Sequence, residues 1–458
     1  MTLPKKETNI RGLPNGVSAT EEDALWGDSK FLRPKDHKQW LAHFIGLEFG
    51  LARMLAGWIP ACGDLEWKME LPRIVWEHMQ RAKRMRERFE ELTGASSAIT
   101  PSDSVTAFVA GLGRSDHGAS FVDAFATKVL PALSKAYGTY IGACDEVFDA
   151  PTLYILRLNQ PEVDRAVKSL RQFLAGHPLP AANPSPAYPN YVDAYLAALQ
   201  GLTPTDFERQ GAMPKNPVEK PAGPNPEKRV QDPRLRLRLG FPETKQGNPV
   251  KFTLREIVYH NATEWQVIDP MCEIFHALPG MPMDFFVDFS RHIWDECRHA
   301  RMGMRRLIEL GYKLEDFEWS HGSDRIVVME DYFAGLTMVG EACSFTRKKG
   351  SIPLFLRAGD QRSAMLPEVD CADEQLHVTY GHRWVAKIYE YTKGLKRTRE
   401  DITREQREKM VSGILAHEGE SYVKDTLAQF DPATRAELVN SFAGFCGLIE
   451  FKMDMTVY

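Results

Sequence analysis

No Cys-x-x-Cys pair occurs in this chain of 458 residues; its seven cysteines stand singly at 62, 144, 272, 297, 343, 371 and 446. That excludes a four-cysteine zinc ribbon and a rubredoxin-type iron site. No uninterrupted run of about 18 apolar residues is present, so no transmembrane helix is expected. The stretch from Met1 to Asp36 is polar and proline-broken and lacks the apolar core of a secretory signal. With an odd number of scattered cysteines, this leads to a reducing, cytoplasmic location as the expectation. A basic excess is also missing: 57 Lys and Arg stand against 62 Asp and Glu, for a net charge of -5. A nucleic acid is therefore not expected as a partner, nor, without a long apolar run, is a membrane.

What remains is an ordinary folding composition, 43% hydrophobic and 26% charged. The prolines are uneven. Fourteen of the 29 fall between Pro178 and Pro249, which predicts an extended connector over 178–250 rather than long helices. Inside it, the alternation from Arg234 to Gly240 reads as a strand. On either side, apolar residues recur at three and four. They predict four helices in the first half (41–58, 67–92, 120–140, 153–174) and four in the second (254–278, 283–310, 324–349, 367–393). Charged helices follow near 403–416 and 419–429. The chain thus divides into an arm (1–36), a helical unit (37–177), the connector, a second helical unit (251–395) and a helical tail (396–458).

The two units share a short segment. Arg73, Trp76 and Ala82 fall in register with Arg291, Trp294 and Ala300, each set on the second helix of its half. Duplication of a four-helix unit explains the match.

Chemistry enters with the pattern acid-x-x-His, which puts an oxygen and a nitrogen on one helix face, about 60° apart. Four instances occur: Glu273/His276, Glu296/His299, Glu318/His321 and Glu374/His377. About two would arise by chance, so context decides. The Glu318 pair lies in what reads as a loop, and the Glu273 pair closes a helix before Leu-Pro-Gly. The other two sit in mid-helix, each behind an aspartate, Asp295 and Asp373. Each also has a glutamate at matched distance on the preceding helix, Glu264 before Glu296 and Glu341 before Glu374. Glutamate followed by Glu-x-x-His, twice over, is the ligand set of a carboxylate-bridged dinuclear centre in a helical bundle. Four carboxylates and two neutral imidazoles balance two divalent ions, whereas four buried carboxylates without metal would have to take up protons. Carboxylate and imidazole together suit iron or manganese better than zinc. Glu330, on the face of Glu341, is the alternative at that position.

Metal-bound histidines usually donate their second ring N–H to a carboxylate. Asp295 and Asp373 are the expected acceptors, each for the histidine of the other helix, with Arg298 neutralising an aspartate. His260 and His292, four residues before Glu264 and Glu296, are candidates to line a substrate cavity. Cys297 and Cys371 read as packing residues.

The second half, about 253–393, resembles the ferritin-like superfamily of di-iron carboxylate proteins. Asp295-Glu296-Cys297-Arg298-His299 is similar to the DExRH signature of bacterial multicomponent monooxygenases, although the second copy, Asp373 to His377, carries Leu376 at the arginine position. The resemblance implies iron ligands at Glu264, Glu296, His299, Glu341, Glu374 and His377, with Glu296 and Glu374 bridging or chelating. It implies an all-α fold of two tandem ferritin-like four-helix bundles joined by the connector, plus short C-terminal helices. The first bundle resembles a degenerate copy: Glu48 stands as a first-helix ligand would, but His78 and Arg81 stand where Glu296 and His299 do. Arginine cannot ligate a cation.

The function expected on this reading is a non-haem di-iron oxidase or oxygenase. It would hydroxylate, desaturate or N-oxygenate a small organic substrate with dioxygen, using two iron ions (Fe2+/Fe3+); a manganese/iron pair stays open. Flavin, nicotinamide and iron–sulfur motifs are missing, so electrons are expected from an external donor or the substrate. A ferritin-type ferroxidase and a non-enzymatic scaffold with a structural metal are the alternatives, and a homodimer is left open.

Overall fold

The computed structural model describes residues 31–94, 101–177, 187–209, 211–239, 261–321, 328–357, 359–416 and residue 432. It is overwhelmingly helical. In the first half α1 (Pro34–Trp58) and α2 (Leu65–Thr93) are long neighbours, followed by α3 (Asp103–Leu112), α4 (Gly118–Ala124), α5 (Leu130–Ala143) and α6 (Ala150–Gly176). The connector carries α7 (Ala187–Leu199), α8 (Pro204–Glu208) and strand β1 (Arg236–Leu239). In the second half come α9 (Ile268–Ala277), α10 (Met283–Glu309), strand β2 (Glu318–His321), α11 (Met329–Gly335), α12 (Glu341–Arg357) and α13 (Gln361–Lys393), then α14 (Arg399–Ala416).

Local chemistry sets several of these boundaries. Asp64 caps α2 by accepting from the Trp67 amide at 3.0 Å, and Asp360 caps α13 through the Ser363 amide at 2.9 Å. Gly94 and Gly394 end α2 and α13 with φ of 70° and 66°, the left-handed region that a side chain disfavours. Pro34–Ala61 is long and apolar enough to cross a membrane, yet 83% of its apolar window is buried in this chain. Its apolar surface is core.

Two expectations change. The connector is not uniformly extended: α7 and α8 form within it, because Pro189 and Pro204 fall in their first turns and the proline-free run behind Pro189 leaves Tyr191, Tyr195 and Leu199 on one buried face with Tyr188. Tyr188 donates its hydroxyl to the Leu112 carbonyl at 2.6 Å. The 318–321 segment is not a loop but strand β2, which pairs in parallel with β1, Arg236 opposite Glu318 and Leu239 opposite His321. Period-two alternation marked β1; nothing comparable marked β2. The predicted helix at 419–429, the start of the one at 254–278 and most of the N-terminal arm lie outside the described residues.

The halves share more than their sequence match. The predicted helices at 120–140 and 324–349 are each interrupted by one π-helical turn, Phe125–Val129 before α5 and Leu336–Gly340 before α12. At the same offset, α6 and α13 follow Asp149 and Asp360. Arg88 of α2 donates to Thr152 Oγ1 at 3.0 Å, and its counterpart Arg306 of α10 donates to Ser363 Oγ at 2.8 Å. Helices α1 and α2 pack against α9 and α10 respectively, so like faces like. Buried polar contacts cross this seam. Lys68 pairs with Asp269 at 2.5 Å. Arg53 Nε donates to the His276 carbonyl at 3.1 Å, while His276 Nδ1 donates to the Arg53 carbonyl at 2.8 Å.

Candidate metal centre

Four segments of the second half converge on one buried cluster. A 3-10 turn, Thr263–Val267, carries Glu264. Helix α10 brings His292, Glu296 and His299; α12 brings Glu341, Ser344 and Lys348; α13 brings Asp370, Glu374 and His377. Each trio repeats every three or four residues, so each lies along one helix stripe. The π turn immediately before Glu341 inserts a residue into the helix and so sets the direction in which the following stripe points. Close approach depends on two glycines. A Cβ at Gly303 of α10 would lie 2.4 Å from the Ala262 nitrogen, beside the turn that carries Glu264. A Cβ at Gly381 would lie 2.7 Å from Thr337 Oγ1 and 2.8 Å from Met338 Sδ, on the π turn.

The donors form two groups. In the first, His292, Glu296, Glu341 and His377 offer atoms that all lie within 4.8 Å of one another. His292 Nε2 is 2.6 Å from Glu341 Oε1 and 3.4 Å from Glu296 Oε1. His377 Nδ1 is 3.4 Å from Glu296 Oε1 and 3.6 Å from Glu341 Oε1. In the second group, His299 Nδ1 is 3.1 Å from Glu264 Oε2 and 3.4 Å from Asp370 Oδ1. The groups adjoin, with the His299 and His377 ring centroids 6.0 Å apart. Donor spacings near 3 Å match edges of a coordination shell with bonds of about 2.1 Å.

Five of these atoms are buried and make no hydrogen bond among the described residues: Glu264 Oε2, Glu296 Oε1, His299 Nδ1, Asp370 Oδ1 and His377 Nδ1; the second oxygen of Glu341, Oε2, is likewise buried and unbonded. Leaving a buried polar atom unpaired costs about 1–3 kcal/mol. Orphaned lone pairs that converge in this way fit shared divalent cations. The outer nitrogens are anchored. His377 Nε2 faces Asp295 Oδ2 of α10 at 3.4 Å, and His299 Nε2 faces Asp373 Oδ2 of α13 at 3.1 Å. That orientation fixes the tautomer with Nδ1 free for a metal. Arg291 donates to Asp295 at 2.7 Å, and Arg298 reaches both Asp295 and Asp373, the latter at 2.9 Å. His292 is different: its Nδ1 has no partner among the described residues, and its ring stacks on His377 at 3.8 Å.

Without cations the cluster distorts its own titration. Burial favours neutral carboxyls, but His292 and His377 outweigh it and hold Glu296 and Glu341 at about 2. Burial likewise opposes a charged ring at His377 and His299, yet the facing carboxylates keep both well above the ordinary histidine value. Glu374 goes the other way. Burial pushes it up to about 8, with Asp370 and Glu264 adding to the effect against the pull of Lys348. Burial and Glu264 also raise Asp370, to about 6. A protonated Glu374 suits its neighbour: Ser344 Oγ lies 2.8 Å from the Glu341 carbonyl and 2.9 Å from Glu374 Oε2, and its single proton can serve only one of them.

All six ligands expected from sequence, Glu264, Glu296, His299, Glu341, Glu374 and His377, lie in this cluster, but not in the expected partition. Glu374 is held by Lys348 and Ser344 rather than facing the orphaned atoms. Asp370 and His292 face them instead. Asp370 was recognisable four residues before Glu374 on the same face, and Lys348 two helical turns after Glu341; neither falls inside an acid-x-x-His pattern. His260 lies outside the described residues. Glu330 is remote, bonded to Thr392 at 2.6 Å and Lys393 at 3.1 Å. Glu273 pairs with Arg229 at 2.6 Å. Burial raises the Cys297 and Cys371 thiols, the latter to about 11, which disfavours thiolate at either.

In the first half the corresponding place is filled by protein. Glu48, fully buried, bonds His78, takes Arg81 Nε at 2.8 Å and Nη2 at 3.1 Å, and accepts from Tyr137 at 2.7 Å. The Arg81 guanidinium is the cation there. At the offset fixed by the π turns and helix caps, Tyr137 corresponds to Lys348, Asn159 to Asp370, Val163 to Glu374 and Ala166 to His377.

Residues 202–418 match a family described as "Protein of unknown function (DUF455)". The match takes in the whole cluster and part of the connector and leaves out α1 to α7. No curated protein and no solved structure matches the chain.

Proposed function

We propose that the chain is a non-haem dinuclear metal oxidoreductase built as two tandem ferritin-like four-helix bundles, the first degenerate and the second holding two iron ions. The observation that supports this most is the convergence of five unbonded, buried donor atoms in two adjoining groups. Histidine and carboxylate donors in comparable number suit iron, with a manganese/iron pair compatible.

When bound, such a pair supplies electrons to dioxygen for oxidation of a small organic substrate. The chain's own residues prepare for that in definite ways. Asp295 and Asp373 accept from the outer nitrogens of His377 and His299 and aim Nδ1 inward. Arg291 and Arg298 neutralise the two aspartates, so they do not add to the inner charge. His292 turns Nε2 toward Glu341 and Glu296, at 2.6 and 3.4 Å, while its Nδ1 has no partner among the described residues. Phe285, Phe289 and Phe333 pack against one another next to His292 and keep water from that side. Electrons would come from a separate donor or from the substrate.

The test is anaerobic loading with Fe(II), then exposure to air. About two iron ions per chain, oxygen uptake and a new near-ultraviolet absorbance are expected. Two ions per chain with no oxygen uptake would leave a structural metal site and end the oxidoreductase reading.

A further inference from the structure

We infer that the second metal position is formed by Glu264, His299 and Asp370, and that Lys348 and Ser344 hold Glu374 out of coordination. This rests on the dinuclear reading and alters the ligand set that the sequence pattern suggests.

Lys348 stands at the centre of this group. Its ammonium is nine-tenths buried and touches three carboxylates: Glu264 Oε1 at 2.8 Å, Asp370 Oδ2 at 2.7 Å and Glu374 Oε1 at 2.5 Å. It takes one oxygen from each. For Glu264 and Asp370 the other oxygen, Oε2 or Oδ1, is left unbonded and faces His299 Nδ1. Asn261 secures the orientation of Asp370 by donating to Oδ2 at 2.9 Å. For Glu374 the other oxygen lies against Ser344 at 2.9 Å. Both oxygens of Glu374 are therefore occupied, and those of Glu264 and Asp370 are occupied only on the side away from His299.

Charge agrees. Two neighbouring divalent ions favour the ionised form of Glu374 as well, so Glu264, Glu296, Glu341, Asp370 and Glu374 then carry five negative charges. Two divalent ions and the Lys348 ammonium carry five positive. With Glu374 as a ligand and no lysine, Asp370 would stay buried and unbalanced, which is strongly unfavourable. The first half lacks the same charges at the corresponding positions: Asn159 stands for Asp370, Val163 for Glu374 and Tyr137 for Lys348. Lys348 is thus a positioning residue. It holds the second position to three protein donors against four in the first, so the first position fills ahead of the second and the second keeps more open coordination sites.

The decisive comparison is Co(II) binding by the full chain, measured by equilibrium dialysis with metal quantification. The unsubstituted chain is expected to bind two ions, the second at least tenfold more weakly. Glu374→Gln is expected to keep both within about threefold of the original affinities, whereas Asp370→Asn keeps only the first. Lys348→Met frees Glu374 and removes a repelling charge, so the second ion should tighten at least tenfold. Loss of the second ion in Glu374→Gln, its retention in Asp370→Asn, or no tightening in Lys348→Met overturns the inference while leaving a dinuclear centre in place. Fewer than two ions on the unsubstituted chain overturns the dinuclear reading itself. Should a variant fail to fold, anomalous scattering from Co(II)-loaded crystals of the unsubstituted chain decides alone: a bond to Asp370 is expected, and a bond to Glu374 in its place is the contrary result.

Discussion

Trp76 of α2 and Trp294 of α10 stack on each other, with ring centroids 4.5 Å apart and planes inclined by 28°. They are the two tryptophans that fall in register when the halves are aligned. Equivalent residues that meet one another mark a two-fold-like seam, as in an isologous dimer. Here both partners belong to one chain. Trp294 also carries Arg291 and Arg298 over its ring at 5.4 and 5.7 Å, so the seam touches the guanidiniums that neutralise Asp295 and Asp373.

Replacing Trp294 by alanine should therefore cost about 2–4 kcal/mol of stability, from lost stacking and burial. It should also weaken metal binding, while Trp76→Ala destabilises to a similar degree and leaves metal affinity nearly unchanged. Denaturant unfolding and metal titration on the two variants check this. Equal effects on metal affinity would show that the arginines do not depend on the Trp294 ring.

Metal binding should strengthen as pH rises. His299 and His377 hold protons well above the ordinary histidine value in the metal-free chain, and Asp370 is raised to about 6. Metals must displace the protons on Nδ1 and on any ligating carboxyl. Calorimetry in buffers of different ionisation enthalpy should register proton release. An affinity that is flat between about pH 6 and pH 8 would contradict it.

The first half should be acid-labile for its own reason. Burial alone would raise Glu48, but Arg81 and His78 lower it to about 2 from 4.5. A depressed carboxyl stabilises fully above its unfolded value and loses that contribution as pH falls from 4.5 toward 2. His78 is lowered by burial, so its contribution is lost in the same direction, below its unfolded value of 6.5. Glu48→Ala would strand a buried guanidinium and should cost about 3–5 kcal/mol at neutral pH. Thermal melting from pH 7 down to about 3 should show the unsubstituted chain losing stability and the variant losing much less.

Gly303→Ala should separate geometry from chemistry. The new methyl would press on the Ala262 backbone and displace the turn bearing Glu264. A stability loss of about 1–3 kcal/mol is expected, with the second metal lost before the first. Metal quantification at limiting Co(II) reads this, and unaltered stoichiometry would show that the turn has room to move.

The sequence by itself determined the helical character, the place of most long helices and the pool of candidate metal donors. Those follow from local spacing: a period of three to four for helices, and acid-x-x-His for an oxygen and a nitrogen on one stripe. It also carried the duplication, through Arg73, Trp76 and Ala82 and their counterparts. Tertiary structure alone decided which donors meet. Asp370 and Glu374 lie on the same face of α13 and are equivalent to any local pattern; what separates them is Lys348, which arrives from α12 and engages them with Ser344 and Asn261 in different ways. The π turn before Glu341 aims the stripe that carries Lys348, and no residue spacing announces it. A side chain's role in a buried charged cluster depends on the net charge and hydrogen bonding of everything around it, and those neighbours come from segments 26 to 109 residues apart in the chain.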